Sequence, residues 1–417
     1  MPMCSMQYGY PTMKGFLTVI PALWLGACAG DAAPPASAGP SFDTLANGSV
    51  LVTNPARGLW DANPEERWRV VEGLRIGTMS GDGPESFGSV GSVVVTEAGS
   101  LWIVDRLANE IRVFDAVGEF VRTVGRSGEG PGEFGSIGQA HRAPNGEIWV
   151  EDIQLGRFEI FDTTGTRIGG HRGVSMTRGG FSGWTEDGRF LLSEYDRDSE
   201  RSFTRAFRFN SEGLLSPAGV VEPPEMELPE RQLIVFEYPN GRIDQFLPYA
   251  RSTWFARGRG TDWWLVCGHC GESSYDIIRM STEGDTLLTI RRHYEPAAIP
   301  DSVRAAALEP LERYVEGASR ITPRFSVDDV PRLYPPFERG FRISGDGTLW
   351  LRKTGPGGVA FDVFDREGRY LGQPELPPGV EGMWIRSITD KAIYATDDDE
   401  LDVGYVVRLD IVRPGSG

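Results

Sequence analysis

The sequence predicts an all-β fold, a six-bladed β-propeller closed by an N-terminal strand and carrying one helical insertion. Three observations predict it. First, a Gly-led apolar strand phrase, usually bearing Trp, recurs as GSLWIVD (99–105), GEIWVED (146–152), GRFLLSE (188–194), TDWWLVC (261–267), GTLWLRK (347–353) and KAIYATD (391–397). Second, each is followed by an alternating strand and a short turn: IRVFDAVGEF (111–120), FEIFDTTGTR (158–167), AFRFNSEGLL (206–215), IIRMSTEGDT (277–286), FDVFDREGRY (361–370) and the truncated VVRLD (406–410). Third, the last unit lacks an outer strand, whereas WRVVEGLRIG (68–77) is a strand without a unit.

Each pair of phrases supplies the b, c and d strands of a four-stranded antiparallel unit. Alternation such as Ile111 and Val113 against Arg112 is the period-2 mark of a sheet. The Asp/Asn-x-x-Gly turns combine a side-chain acceptor with a residue free to take positive φ, as tight hairpins require. Composition agrees: 11% aromatic residues, 53 Gly and 29 Pro, with little long helical periodicity. Repeated units of this kind suit a propeller, in which only short, protected sheet edges remain. The orphan strand at 68–77 is expected to complete the sixth blade.

The run SGDGPESFGS (80–89) returns 47 residues later as SGEGPGEFGS (127–136). Taken singly, either copy suggests a phosphate-cradling loop. Such a loop must open a helix, whose N-terminal amides hold the phosphate, and here strands lie on both sides. As a repeat, the run becomes the joint between blades, with Phe87 and Phe134 wedged at the seams. Blades one and two resemble NHL repeats, whose pattern runs G-x-[LI]-[WY]-V-x-D, then V-F-D-x-x-G, then GxGPGEF. The resemblance covers residues 68 to about 170 closely and extends to 413 more loosely. It implies a six-bladed NHL-type propeller, an architecture that serves binding modules, extracellular sensors and some enzymes, so fold does not settle function.

Residues 13–28, MKGFLTVIPALWLGAC, place one Lys before an apolar run too short to span a bilayer comfortably. The expectation is a signal peptide over 1–27, with translation starting at Met13 and Cys4 irrelevant. Leu25-Gly26-Ala27-Cys28 resembles the lipobox of bacterial lipoproteins, which implies lipidation of Cys28 and attachment to a membrane. Ala29 in place of Asp implies the outer membrane, facing periplasm or surface. Residues 28–64 are then expected to form a flexible tether and 65–417 the propeller, acting as a monomer. A formal charge of −17 excludes sequence-independent binding to nucleic-acid phosphates, which needs basic surface.

Three stretches break the repeat. CGHC (267–270) falls at a hairpin of blade four, where Cys267 and Cys270 are expected to form a disulfide. Redox exchange would need the thiols at a helix N-terminus, and zinc held by Cys267, His269 and Cys270 would lack a fourth local ligand. Residues 296–318 are the one persuasive helical stretch, kinked or restarted at Pro310. The stretch is either a grown loop packed on the propeller edge or a lid or docking face. Residues 219–250 are too long for a blade link and are expected to contain an extra strand or hairpin near 232–238.

Evidence for catalysis is thin. The chain has four histidines, His141, His171, His269 and His293, and neither an HxxxH-like spacing nor a GxSxG elbow. Acidic residues at the b-strand ends, Asp105, Asp152, Glu194 and Asp397 to Glu400, suggest a ring that could hold Ca²⁺, with solvated charges as the default. Two functions stand. The preferred one is a non-catalytic, lipid-anchored module that binds a protein or small ligand on its loop-rich face, with no required cofactor. The other is a metal-dependent hydrolase or lyase, using Zn or Ca, with His141 and acidic residues converging at the central channel. The residues expected on the binding face are Arg106, His141, Asp152, Tyr195, His269 and Lys353.

Overall fold

The computed structural model describes residues 39–78, 83–172, 180–185, 187–196, 201–209, 215–221, 232–238, 241–257, 262–316, 326–338, 341–398 and 404–415. Cys28 and the leader lie outside them. The described chain opens with β1 (Ser41–Thr44), β2 (Val50–Asn54), a helical turn α1 (Leu59–Ala62) and β3 (Arg69–Ile76). Blade one comprises β4 (Val90–Val95), β5 (Leu101–Asp105), β6 (Glu110–Phe114) and β7 (Phe120–Val124). Blade two is β8 (Ile137–Arg142), β9 (Ile148–Asp152), β10 (Arg157–Phe161) and β11 (Arg167–Arg172). Blade three is β12 (Phe181–Trp184), β13 (Phe190–Asp196), β14 (Arg201–Phe209) and β15 (Leu215–Val221). A separate hairpin follows, β16 (Leu233–Tyr238) and β17 (Gly241–Phe246). Blade four is β18 (Thr253–Arg257), β19 (Trp263–Cys267), β20 (Ser274–Met280) and β21 (Thr286–His293). Two helices, α2 (Asp301–Ala306) and α3 (Glu309–Glu316), precede blade five, which is β22 (Phe341–Ile343), β23 (Leu349–Gly355), β24 (Gly358–Phe364) and β25 (Tyr370–Gly372). Blade six takes β26 (Trp384–Ile388), β27 (Ala392–Asp398) and β28 (Gly404–Val412) from the C-terminus. Its fourth strand is β3, paired antiparallel along β28 from Val406↔Ile76 to Val412↔Arg69. The expected closure by an N-terminal strand is what the structure shows.

Simple alternation understates the burial. Every residue of β5, β9, β10 and β19 is buried, because a blade has neighbours on both faces. The period of two survives as a division of labour. Trp102 and Val104 enter the core shared with blade two, whereas Leu101 and Ile103 enter the core shared with blade six. Six such inter-blade cores run round the ring, so the hydrophobic effect that stabilises each blade also closes the circle. Phe134 is fully buried in the seam between blades one and two, and Phe87 occupies the seam between six and one. Gly125 makes this possible: at φ +79° it faces the Phe134 ring, where an added Cβ would come within 2.3 Å.

The N-terminal stretch corrects an expectation. Residues 41–66 are not a free tether but a belt around blades four, five and six. β2 pairs parallel with β21, the outer strand of blade four, and β1 pairs antiparallel with β2. Buried Asn54 then accepts from Tyr370 N (2.7 Å) and donates to Gly368 O (3.0 Å), fastening the outer strand of blade five. Gly58 passes so close to Leu371 and Gly372 that a Cβ would meet Leu371 O at 2.5 Å, and Trp60 fills the core of blades five and six. The belt covers sheet edges that would otherwise offer unpaired backbone groups. Nothing local announces it, since its partners lie hundreds of positions downstream.

Candidate functional site

The b–c hairpins and blade joints share one face of the ring, and the three breaks in the repeat meet there. The hairpin of β16 and β17 buries Ile234 and Phe236 against Leu308 of the helical insert and Val330 of the chain returning from it, with Tyr249 and Leu311 packed beside them. α3 begins beside Pro310, where a missing N–H costs least, so Pro310 restarts the helix. Arg304, almost completely buried, ties α2 to the returning chain through Val330 O (2.7 Å) while pairing with Asp301 of its own helix (3.0 Å). The insert is therefore neither a bare edge loop nor a free helix but half of a small cap with its own core.

The CGHC turn forms a second wall. Cys267 and Cys270 are disulfide-bonded, as expected. His269 Nε2 meets Arg251 O at 2.9 Å, and Arg251 donates to Gly271 O (2.6 Å), Glu272 O (2.7 Å) and the Tyr294 hydroxyl (2.9 Å). This network locks the turn to the entry of blade four.

Between cap, turn and blades five and six lies a cavity of about 730 Å³, lined by Tyr249, His269, Ala307, Arg342, Arg352 and Trp384 among others. Arg352 is matched by Glu338 (3.5 Å) and the carbonyls of Glu381 and Met383. Arg342 is different. Among the described residues its one hydrogen bond is to the neighbouring Phe341 O (3.0 Å), and it has no carboxylate partner. Desolvation by the cavity walls pulls its pKa below the usual guanidinium value. Trp384, 68% exposed, stands at the rim. An unmatched guanidinium beside exposed aromatic surface suits an anion with an apolar or planar body.

The predicted residues scatter. His269 lines this cavity, and Lys353 lines a second, smaller cleft. Arg106 follows β5 close to Arg386 of β26, whose pKa is lowered by desolvation and then by the Arg106 charge. The side chain of Tyr195 lies outside the described residues. One expectation needs correction, that for Asp152. His141 stands where it was expected, on the inner strand of blade two, held by Glu151 (2.8 Å) and packed on Phe181 (4.0 Å between ring centres). Asp152 is not on a binding face: it is wholly buried and accepts from the amides of Gly135 (3.1 Å), Ser136 (3.2 Å) and Leu155 (3.1 Å) and from Arg157 Nε (3.3 Å). Asp105 does the same for Gly88, Ser89, Leu107 and Ala108. Each buried Asp grips the FGS end of a joint, while Arg112 and Arg157 hold carbonyls of the same joints. The acidic positions read as a possible Ca²⁺ ring are partly inter-blade clamps, consumed by backbone donors. Among the described residues no three His, Cys, Asp or Glu side chains are grouped to hold a metal ion.

Sequence reasoning missed Arg342, Arg352, Tyr249 and Trp384. Arg342 and Trp384 occupy ordinary inner strands, and no local signal marks them; the usable hint was that blade five follows the insert.

Residues 85–154 match a protein family described as a 6-bladed beta-propeller. Curated proteins yielded no match. Among solved structures, the chain is similar to a putative exported protein from Bacteroides fragilis (13% identity, 84% of this chain and 96% of that one, TM-score 0.45). It is similar as well to virginiamycin B lyase from Staphylococcus aureus (11%, 83% and 100%, 0.40) and a gluconolactonase from Xanthomonas campestris (12%, 89% and 95%, 0.34).

Proposed function

We propose that this six-bladed propeller is a non-catalytic binding module of the bacterial cell envelope, tethered through a lipid on Cys28, and that it takes an anionic ligand in the capped cavity. The observation that carries the reading is the convergence of all three repeat-breaking segments on one cavity of about 730 Å³ containing a cation without a carboxylate partner among the described residues. Loop insertions are cheap in free energy, so one alone says little. Two insertions that share a core and border the cavity that Arg342 lines point to a binding site. The Cys267–Cys270 bond suits an oxidising compartment, and the LGAC sequence at 25–28 suits the anchor.

The test is a thermal-shift screen of carboxylates, sulfates and phosphate esters, followed by calorimetry on wild type and Arg342→Met. A hydrogen-bonded charge is worth about 1.5–3 kcal/mol, so the variant should bind a true ligand roughly ten- to hundred-fold more weakly. Ligands indifferent to Arg342→Met, or chemical turnover of the bound compound, would overturn the reading.

A further inference from the structure

The second cleft lies between blades four and five, has a volume of about 250 Å³ and shares Pro335 with the larger cavity. Behind it is a polar group sealed from solvent. Asp362 is fully buried; its Oδ2 accepts from the Tyr275 hydroxyl (2.7 Å) and faces Arg292 Nη1 (3.5 Å). Its Oδ1 accepts from the Tyr370 hydroxyl (3.0 Å) and Gln373 Nε2 (3.0 Å). Arg292 lies over the Tyr370 ring at 4.0 Å and donates to Ala56 O of the belt (3.3 Å). Both oxygens of the carboxylate are thus engaged.

Lys353 adds a second cation to this single anion. In the β23–β24 register Leu351 pairs with Asp362 and Lys353 with Ala360, which puts Lys353 on the Asp362 face, one diagonal step toward the cleft. It lines the cleft and feels the charges of Asp362 and Arg292, yet among the described residues it makes no hydrogen bond or direct ion pair. Counting charges around Asp362 gives buried Arg292 and half-buried Lys353 at the cleft wall against one carboxylate, a surplus of one positive charge. Glu295, exposed at the cleft rim, is not in ion-pair contact with Lys353. Desolvation accordingly lowers the Lys353 pKa, the Asp362 charge opposes the shift, and Arg292 adds to it. A half-buried charge without a partner carries a desolvation cost that a counter-ion entering the cleft would offset.

We propose that this cleft is a binding site for a small monocarboxylate, whose carboxyl group pairs with the Lys353 ammonium. A single negative charge matches the surplus, whereas a phosphate dianion would reverse it. On the same wall Ala297, Tyr334, Pro335 and Ala360 offer apolar surface to a short hydrocarbon body, beside the polar Thr354 and Gln373. This assignment is independent of the ligand of the larger cavity.

Its test uses the full chain carrying Arg342→Met, which weakens anion binding in the larger cavity, so that the comparison with added Lys353→Met assigns the remaining binding to the cleft. Propionate and benzoate are titrated by calorimetry and ligand-observed NMR against chloride at equal ionic strength. Saturable binding of the carboxylates is expected, weakened at least tenfold by adding Lys353→Met. The unliganded Lys353→Met protein should melt no lower than its parent, since it loses a surplus cation. Absence of saturable binding, or affinity within twofold after Lys353→Met, overturns the proposal. So does loss of binding together with a lower melting temperature, which would make Lys353 a structural residue.

Discussion

Replacing Asp152 by Asn should destabilise the ring without touching any ligand. The substitution keeps size and shape but turns one oxygen into an NH₂ group. In the better orientation the remaining oxygen still accepts from Ser136 and Leu155, leaving the new NH₂ to face two other donors, the Gly135 amide and Arg157 Nε. Two bonds to a charged acceptor are lost, at about 1.5–3 kcal/mol each. Arg157 is not stranded, because Glu159 lies 3.2 Å from its Nε and the carbonyls of Glu129, Gly130 and Glu133 hold its other nitrogens. The lower half of the range therefore applies, about 3–4 kcal/mol, a large share of a typical folding free energy. Urea unfolding followed by tryptophan fluorescence reads it as a lower midpoint at unchanged slope. Asp105→Asn should behave alike, because Asp105 faces the same set of joint amides and Arg112 at 3.3 Å. A loss below about 1 kcal/mol would refute the clamp, given the bond energies assumed. So would millimolar Ca²⁺ raising the wild-type melting temperature but not that of Asp152→Asn, which would return these carboxylates to a metal site.

Two further outcomes can be checked directly. Trp60→Ala should cost about 3 kcal/mol, since Trp60 is 3% exposed in the core of blades five and six, and hydrogen exchange should speed up along β25, where the belt docks. For Lys353 the folded pKa lies below the unfolded value, so the unfolded chain binds the proton more tightly. Wild-type stability should therefore gain from this residue as pH rises through the depressed pKa toward the ordinary lysine value of about 10.4. The melting-temperature advantage of Lys353→Met over wild type should be widest near neutrality and shrink along that window. An advantage that stays flat or widens with pH would contradict the surplus charge.

Much of the fold was legible because the signals are local. A b strand pairs with its own c strand across a few turn residues, so phrases such as GSLWIVD with IRVFD announce a hairpin wherever they occur. The turn Gly118, at φ +89°, and the disulfide of CGHC are equally local. Even the closing strand could be inferred, since one blade was a strand short and one strand had no blade. The belt was not legible: SFDT and VLVTN do not name an edge more than 230 positions away. The carboxylates misled for a related reason. A row of acids at strand ends looks the same whether solvent, a cation or a neighbouring joint satisfies it, and for Asp105 and Asp152 the joint wins because the FGS amides arrive first in space.

The sequence by itself determined the number of blades, the joints between them, the manner of closure and the places where the pattern fails. Only the tertiary structure decided that those failures share one cavity and that Arg342 has no carboxylate partner in it among the described residues. It decided as well that Lys353 and Arg292 both lie in the field of one buried carboxylate, which only Arg292 approaches directly. Strand pairing is set by nearest neighbours in the chain and leaves a periodic trace. Charge balance and desolvation depend on side chains brought from different blades by the closing of the ring, and no period records them.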